Sequence, residues 1–320
     1  MRWKLAGLGT ILAGAVAIIS TNWSQPGNPN IVAPTMGGQQ FWTDVYYHVG
    51  WRIQHNLVTD HYRLLDPDDH RHAWGTYDDC ISHFATLRAQ LNLSYDDKPV
   101  VFLIKGLGGM GSSFRGLRSA LEADGYHVAY VAYPSTRQSV ADHADDITRL
   151  LNGLEGVRDI SFVAHSMGGL VMRRVLATPA PWQEDMTIRG LAMVGTPNRG
   201  ASLAEIFAEN EAFKALTTDA GQDLRPHSVE ALPPVTIRHC LIIGSTNGGK
   251  GTNPLIRGDD DGVVGVAEAY LSGSDDILIV DGGYHRTLPS HDETVAGVKR
   301  FLLGQRCDDP GNQLVSAGAR

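Results

Sequence analysis

Nowhere does the sequence offer the roughly 20 consecutive apolar residues that a comfortable membrane span needs. Its apolar run from Leu5 to Ile19 is shorter than that. Basic clusters are missing beyond the first few positions, and 35 acidic against 27 basic side chains leave a net charge of −8. Nucleic-acid binding therefore has no electrostatic footing. Cysteine is scarce: Cys80, Cys240 and Cys307 are odd in number and unrelated in spacing. That excludes a disulfide framework and a metal knuckle, although one pair could bridge in an oxidising compartment. Cys240, in an apolar strand-like run, reads as core. His55, His61, His70 and His72 form no metal-ligand spacing, so no metal is expected. Internal repeats and low-complexity tracts are absent too.

What is present describes a folded chain. Hydrophobic residues make up 42% and charged residues 19% of the sequence. A length of 320 residues allows one large α/β domain with extensions, or two small domains. Arg2 and Lys4 precede the apolar run, and a polar Pro/Gly/Asn-rich stretch, Ser20 to Asn30, follows it. Basic residues before such a run and none soon after predict the amino end in the cytoplasm and the rest exported. Residues 1–22 are read as a signal anchor that ties the protein to a membrane. A cleaved signal peptide and secretion is the alternative.

Residues 23–98 read as a linker and an N-terminal extension. Phe41 to Leu57 places Phe41, Trp42, Val45, Tyr46, Val49 and Ile53 near helical spacing, which predicts an amphipathic helix. His61–Leu65 and His72–Gly75 flank the turn Asp66-Pro67-Asp68-Asp69 and predict a hairpin. A helix is expected over Thr76–Leu91, with Thr76 or Asp78 as its N-cap. From Pro99 onward short apolar strands alternate with amphipathic helices. That pattern predicts right-handed βαβ units and a mainly parallel sheet flanked by helices, an α/β fold over residues 99–304. Residues 305–320 read as a polar tail.

The most informative run is Phe162-Val163-Ala164-His165-Ser166-Met167-Gly168-Gly169. An apolar strand enters it and an apolar helix, Leu170–Leu176, leaves it. Small residues two before and two after the serine, Ala164 and Gly168, suit the sharp strand-to-helix turn that presents a nucleophilic hydroxyl. The helix start adds backbone N–H groups and a positive dipole end where an oxyanion would form.

A serine needs a base, and the base needs an orienting partner. The acid candidate is Asp261, in a glycine-rich loop beside Asp259 and Asp260. Three aspartates in a row also read as a loose cation site or a solvated loop. The base candidate is His285, after the strand Ile277–Val280 and two glycines; His291, beside Asp292 and Glu293, is its rival and suits helix capping better. Oxyanion donors are expected from the Met167 N–H and from Leu107, in the glycine-rich turn after the first core strand. The competing phosphate-loop reading of that turn lacks the Gly-Lys-Ser/Thr that should follow. Leu107, Met110 and Phe114 would suit an acyl chain.

Together these segments resemble α/β-hydrolase-fold lipases and esterases over roughly residues 99–304. Ala-His-Ser-Met-Gly-Gly at 164–169 is similar to the elbow of bacterial lipases with alanine in place of the first glycine. Gly195-Thr196-Pro197-Asn198-Arg199-Gly200, Asp261-Gly262-Val263-Val264 and His285-x-x-Leu288 resemble further segments of those enzymes. The resemblance implies Ser166 as nucleophile, Asp261 as acid, His285 as base, and Leu107 and Met167 as oxyanion hole. It also implies a lid or cap at 201–234. One departure stands out: the family usually has His-Gly at the oxyanion loop, and this chain has Lys105-Gly106. The expected function is hydrolysis of small-molecule or lipid carboxylic esters without a cofactor. A thioesterase, amidase or acyltransferase would use the same triad. A non-catalytic binding protein on the same fold is the other alternative, with Lys105 as the feature in its favour.

Overall fold

The computed structural model describes residues 32–35, 40–95 and 98–309. The expected signal anchor, most of the linker and the tail from 310 lie outside the described residues. No described helix is long and apolar enough to cross a membrane.

The chain first forms an antiparallel meander. Its strands are β1 (Ala33–Pro34), β2 (Trp42–His48), β3 (Trp51–Asn56), β4 (Tyr62–Leu65) and β5 (His70–Gly75), in the sheet order β1-β5-β4-β3-β2. The helix expected over Phe41–Leu57 is therefore a hairpin, β2–β3. Val49 and Gly50 both take positive φ, 46° and 83°, which turns the chain back in two residues. Helix α1 (Tyr77–Leu91) begins at a capping box in which Thr76 and Asp79 satisfy each other's backbone N–H. It packs Cys80 and Phe84 against Tyr46, Trp51 and Leu64 of the meander.

The rest alternates strand and helix, in chain order: β6 (Val100–Ile104), α2 (Arg115–Ala123), β7 (His127–Val131), α3 (Val140–Asn152), β8 (Asp159–His165), α4 (Met167–Ala177), α5 (Trp182–Asp185) and β9 (Thr187–Val194). Then follow α6 (Ser202–Ile206), α7 (Glu211–Gln222), α8 (Pro226–Glu230), β10 (His239–Ser245), α9 (Val266–Ala269), β11 (Ile277–Asp281) and α10 (Asp292–Leu302). All neighbours in the six-stranded sheet β11-β10-β9-β8-β6-β7 run parallel. Every residue of β6 is buried, as a strand covered on both faces must be. The chain leaves β6 toward β7 on one side and returns to β8 on the other. Loops from β6 and β8 thus part at a topological switch point, where α/β sheets place their ligands.

The meander is joined to the parallel sheet just beyond the end of β7. The Asp44 N–H donates to the Ala132 carbonyl (2.9 Å), and the Ala132 N–H donates to the Asp44 carboxylate (2.7 Å). Gln54 also donates to Asp44 (2.7 Å). Burial pushes this carboxyl above its ordinary range, against the pull of Arg52.

The segment at 201–234 carries α6, α7 and α8 and not one long helix. Helix α7 is broken at Thr218, whose φ of 47° and ψ of −135° no helix tolerates, and whose hydroxyl donates to the Thr136 carbonyl (3.0 Å).

Candidate active site

The turn between β8 and α4 is as sharp as the sequence implies. Ser166 takes φ 54° and ψ −128°, a strained conformation for a residue with a side chain. Its N–H donates to the Val194 carbonyl of the neighbouring strand (2.9 Å). Room for the turn comes from Gly168: a Cβ there would lie 2.6 Å from the Lys105 carbonyl oxygen and 2.7 Å from that of Ile104. No larger residue fits where α4 leaves the strand ends.

Three side chains from three loops meet at this turn. The Ser166 hydroxyl lies 3.0 Å from His285 Nε2, and His285 Nδ1 lies 2.6 Å from Asp261 Oδ2. Asp261 is almost completely buried and His285 nearly so, with side-chain exposures of 1% and 11%. The second Asp261 oxygen accepts the N–H groups of Val263 (2.9 Å) and Val264 (2.7 Å). The His285 N–H in turn donates to the Asp261 carbonyl (2.8 Å), so backbone and side chain align the pair together.

The neighbouring aspartates have separate tasks. Asp260, fully buried, accepts backbone N–H groups from Thr252, Asn253 and Gly262 and ties the loop into its shape. Asp259 accepts the Thr246 N–H (3.2 Å). The carboxylate run is thus spent on the loop's own backbone and on His285. His291 sits elsewhere, at the start of α10, where its ring accepts the Glu293 N–H (3.3 Å).

After β6 the chain makes a type II turn. The Gly109 N–H donates to the Gly106 carbonyl (3.1 Å), and Gly108 at the third position takes φ +63°, open to glycine. The Gly108 N–H donates to Ser135 Oγ (3.1 Å), which fixes the turn to the segment after β7. Leu107 is its half-buried second residue, so its N–H is not spent on closing the turn. Met167 is the first residue of α4, where a helix leaves its N–H groups without intrahelical partners. Gly106 brings turn and elbow together: a Cβ on it would lie 2.6 Å from Ser166 Cβ and 3.1 Å from its Oγ.

Lys105 points away from the turn into the core and is completely buried. The Tyr133 hydroxyl donates to its carbonyl, and its Nζ stands 5.3 Å from the Tyr133 ring centroid. Burial pushes the ammonium down to about 8, with Asp44 pulling the other way. The neighbouring His143 ring is lowered to about 4 by burial and then by Lys105, so it is neutral.

Two supporting residues had weaker signals in the sequence. His165, inside the elbow motif, lies in tilted contact with His285, ring centroids 4.7 Å apart. Burial, and then the proximity of His285, hold His165 well below its ordinary range. It is therefore neutral, and its Nε2–H donates to the His285 carbonyl (2.9 Å). Gly195, after β9, takes φ +58° and passes so close that a Cβ would lie 3.3 Å from both Asp261 Oδ2 and His285 Nδ1. Ser135 carried no motif at all. Of the proposed acyl contacts, Phe114 is packed in the core on the α2 side, while Met110 is exposed.

No protein-family model matches the chain, and no curated protein sequence matches it. Among solved structures it is similar to the mature form of the lipase BlEst2 from Bacillus licheniformis. The TM-score is 0.52 at 19% identity, covering 65% of this chain and 93% of that one. The propeptide form of the same lipase gives 0.50 at 18%, covering 65% and 51%. The metagenomic carboxyl esterase MGS0156 gives 0.47 at 16%, covering 66% and 77%. The class this likeness defines is one of fold: the chain has the α/β-hydrolase fold, with helices on both faces of a parallel sheet. Bacterial lipases and esterases are its structural neighbours within that fold.

Proposed function

We propose that the protein is a serine hydrolase of carboxylic esters with apolar acyl groups. The observation that carries this reading is the hydrogen-bonded line from Asp261 through His285 to Ser166. His285 takes the hydroxyl proton as Ser166 attacks the ester carbonyl, and returns it to the leaving alcohol. Asp261, held by the N–H groups of Val263 and Val264, fixes the imidazole tautomer and stabilises its charged form. Leu107 and Met167 supply N–H groups to the oxyanion. Water then enters by the same base and releases the acid.

Exposed Met110, Ile206, Phe207 and Leu216 give apolar surface just after the oxyanion turn and on the lid segment, which favours apolar acyl chains. On this reading Thr218 is where the lid bends. The apolar run Leu5–Ile19 behind Arg2 and Lys4 anchors the protein, with the hydrolase on the exported side.

Labelling with a fluorophosphonate ester tests the chemistry. The parent should label, while Ser166→Ala and His285→Ala should not. A folded parent that takes no label would sink the hydrolase reading. Fractionation of the full chain against one starting at Asn22 tests the anchor: only the full chain should sediment with membranes.

A further inference from the structure

Polar contacts at the end of the described chain hold the backbone around one cysteine. Beyond α10 the backbone turns back toward the start of β10. Arg238 donates to the carbonyls of Phe301 (2.8 Å) and Gln305 (2.5 Å). Arg300 donates twice to the Cys307 carbonyl, at 3.2 and 2.6 Å. The Cys307 N–H donates to the Asp276 carboxylate (2.8 Å). Both backbone groups of Cys307 are thereby fixed, and its Sγ lies 3.9 Å from the Leu241 carbonyl, the residue next to Cys240. Cys240 and Cys307 are completely buried, and their sulfurs, with an Asp276 oxygen, lie within 4.8 Å of one another. They share an apolar cluster with Val298 and Phe301. Cys240 stands at the start of β10, so the pair lies at the opposite end of the sheet from Ser166.

We infer that Cys240 and Cys307 form a disulfide when the chain folds in an oxidising compartment. Cys80 sits in the separate core beneath the meander and stays a thiol. Sulfurs this close need only side-chain and small backbone adjustments to reach the roughly 2 Å of a bond. The step is thiol–disulfide exchange with an external disulfide such as oxidised glutathione. One cysteine thiolate attacks it and displaces one external thiol. The second cysteine thiolate then attacks the mixed disulfide and displaces the other. Two electrons pass to the external disulfide, and the two protons end on the released thiols.

Burial pushes the Cys240 thiol well above its ordinary range, so the attacking thiolate is scarce once the protein has folded. The bridge therefore closes while the chain is still open, before α10 packs over Cys307. The ring it closes contains both Asp261 and His285, so the loops that carry acid and base gain from the restricted unfolded chain. A metal ion is the competing occupant of two thiols and a carboxylate. Against it, an Asp276 oxygen already accepts the Cys307 N–H within an apolar surround.

The state of these thiols is independent of catalysis at Ser166 and is read without any activity assay. Full-length protein is unfolded, reduced, treated with a chelator and refolded with a reduced and oxidised glutathione mixture. After an acid quench it is alkylated in denaturant without reductant and mapped by mass spectrometry. The expected result is a linked Cys240–Cys307 peptide with alkylation at Cys80 alone. The oxidised protein should melt on the order of 5 °C or more above the Cys240→Ala/Cys307→Ala double variant. Alkylation of all three cysteines in protein that had refolded before the quench would overturn the inference. So would a parallel refold with zinc sulfate that holds zinc one to one and leaves all thiols free after chelation. Protein exported into a host's oxidising compartment gives the same readout where refolding is inefficient.

Discussion

Gly106→Ala tests whether the proposed oxyanion turn and the proposed nucleophile work at the spacing the structure gives. Gly106 lies outside the left-handed region, so alanine adds a methyl group and no backbone strain. That methyl would stand 2.6 Å from Ser166 Cβ and 3.1 Å from the His165 carbonyl oxygen. Carbon contacts relax near 3.5–4.0 Å, so turn and elbow must part by about 1 Å. Neither side yields cheaply: Gly106 follows the fully buried β6, and Ser166 is tied to Val194. A misplacement of about 1 Å costs on the order of 100-fold in rate, or about 2.7 kcal/mol of barrier. The loss of stability from overpacking should be about 1–3 kcal/mol. The assay is steady-state hydrolysis of p-nitrophenyl butyrate, with folding followed by circular dichroism at the assay temperature. We expect kcat to fall about 100-fold with KM little changed. Gly153→Ala, whose added methyl meets nothing nearer than 3.5 Å, is the control and should behave as parent. If the folded Gly106→Ala variant kept kcat within about threefold of the parent, the reaction would not run in this geometry, and the assignment of the turn as oxyanion hole would fall.

The buried ammonium of Lys105 gives a pH signature. Its value falls from 10.5 to about 8 on burial, so between those limits the unfolded chain binds the proton that the folded chain has lost, and stability rises with pH. Below pH 8 the burden is about 3 kcal/mol. Urea titrations should show Lys105→Met gaining on the parent at pH 7 and losing that lead toward pH 10.5; parallel curves would refute it. His165→Phe keeps a ring but removes the donor to the His285 carbonyl. We expect kcat to drop about tenfold at unchanged KM, with partial recovery in His165→Gln, since a positioning error acts in the transition state. Asp260→Ala strips the acid loop of a buried acceptor for three N–H groups. It should lower stability by about 2–4 kcal/mol and slow fluorophosphonate labelling, whereas Asp259→Ala should change labelling little.

The parallel core was legible because its elements are local. Strands such as Val100–Ile104 are short and apolar, and the elbow packs its constraint into five residues. The order of Ser166, Asp261 and His285 followed from where loops leave such a sheet. Phe41–Leu57 was misread for a physical reason. A register shift between Asp44 and Tyr46 breaks the two-residue alternation of β2, and the polar residues of both strands, Asp44, Arg52 and Gln54 among them, are buried and mark no solvent face. The turn itself, Val49-Gly50, lacks the Asn or Asp that usually flags two positive φ angles. Among Asp259, Asp260 and Asp261 only context favours Asp261, helped by the likeness of Asp261-Gly262-Val263-Val264 to the lipase segment, because which carboxylate faces His285 depends on how backbone N–H groups elsewhere fold the loop. The contact between Cys240 and Cys307 depends on how the last helix returns along the sheet, which spacing alone does not encode.

The clasp between Asp44 and Ala132 has a consequence for the solubility of the molecule. β7 ends the parallel sheet, and an open sheet edge is a template onto which a second chain can add a strand. The clasp holds the meander just beyond the end of β7, with a buried carboxylate on the first N–H past the strand, so a chain adding to β7 meets Asp44 at that end. A fragment begun at Pro99 would keep every residue of the candidate site and lose this block. Residues outside the proposed site thus bear on whether this sheet stays alone or adds a strand from another chain.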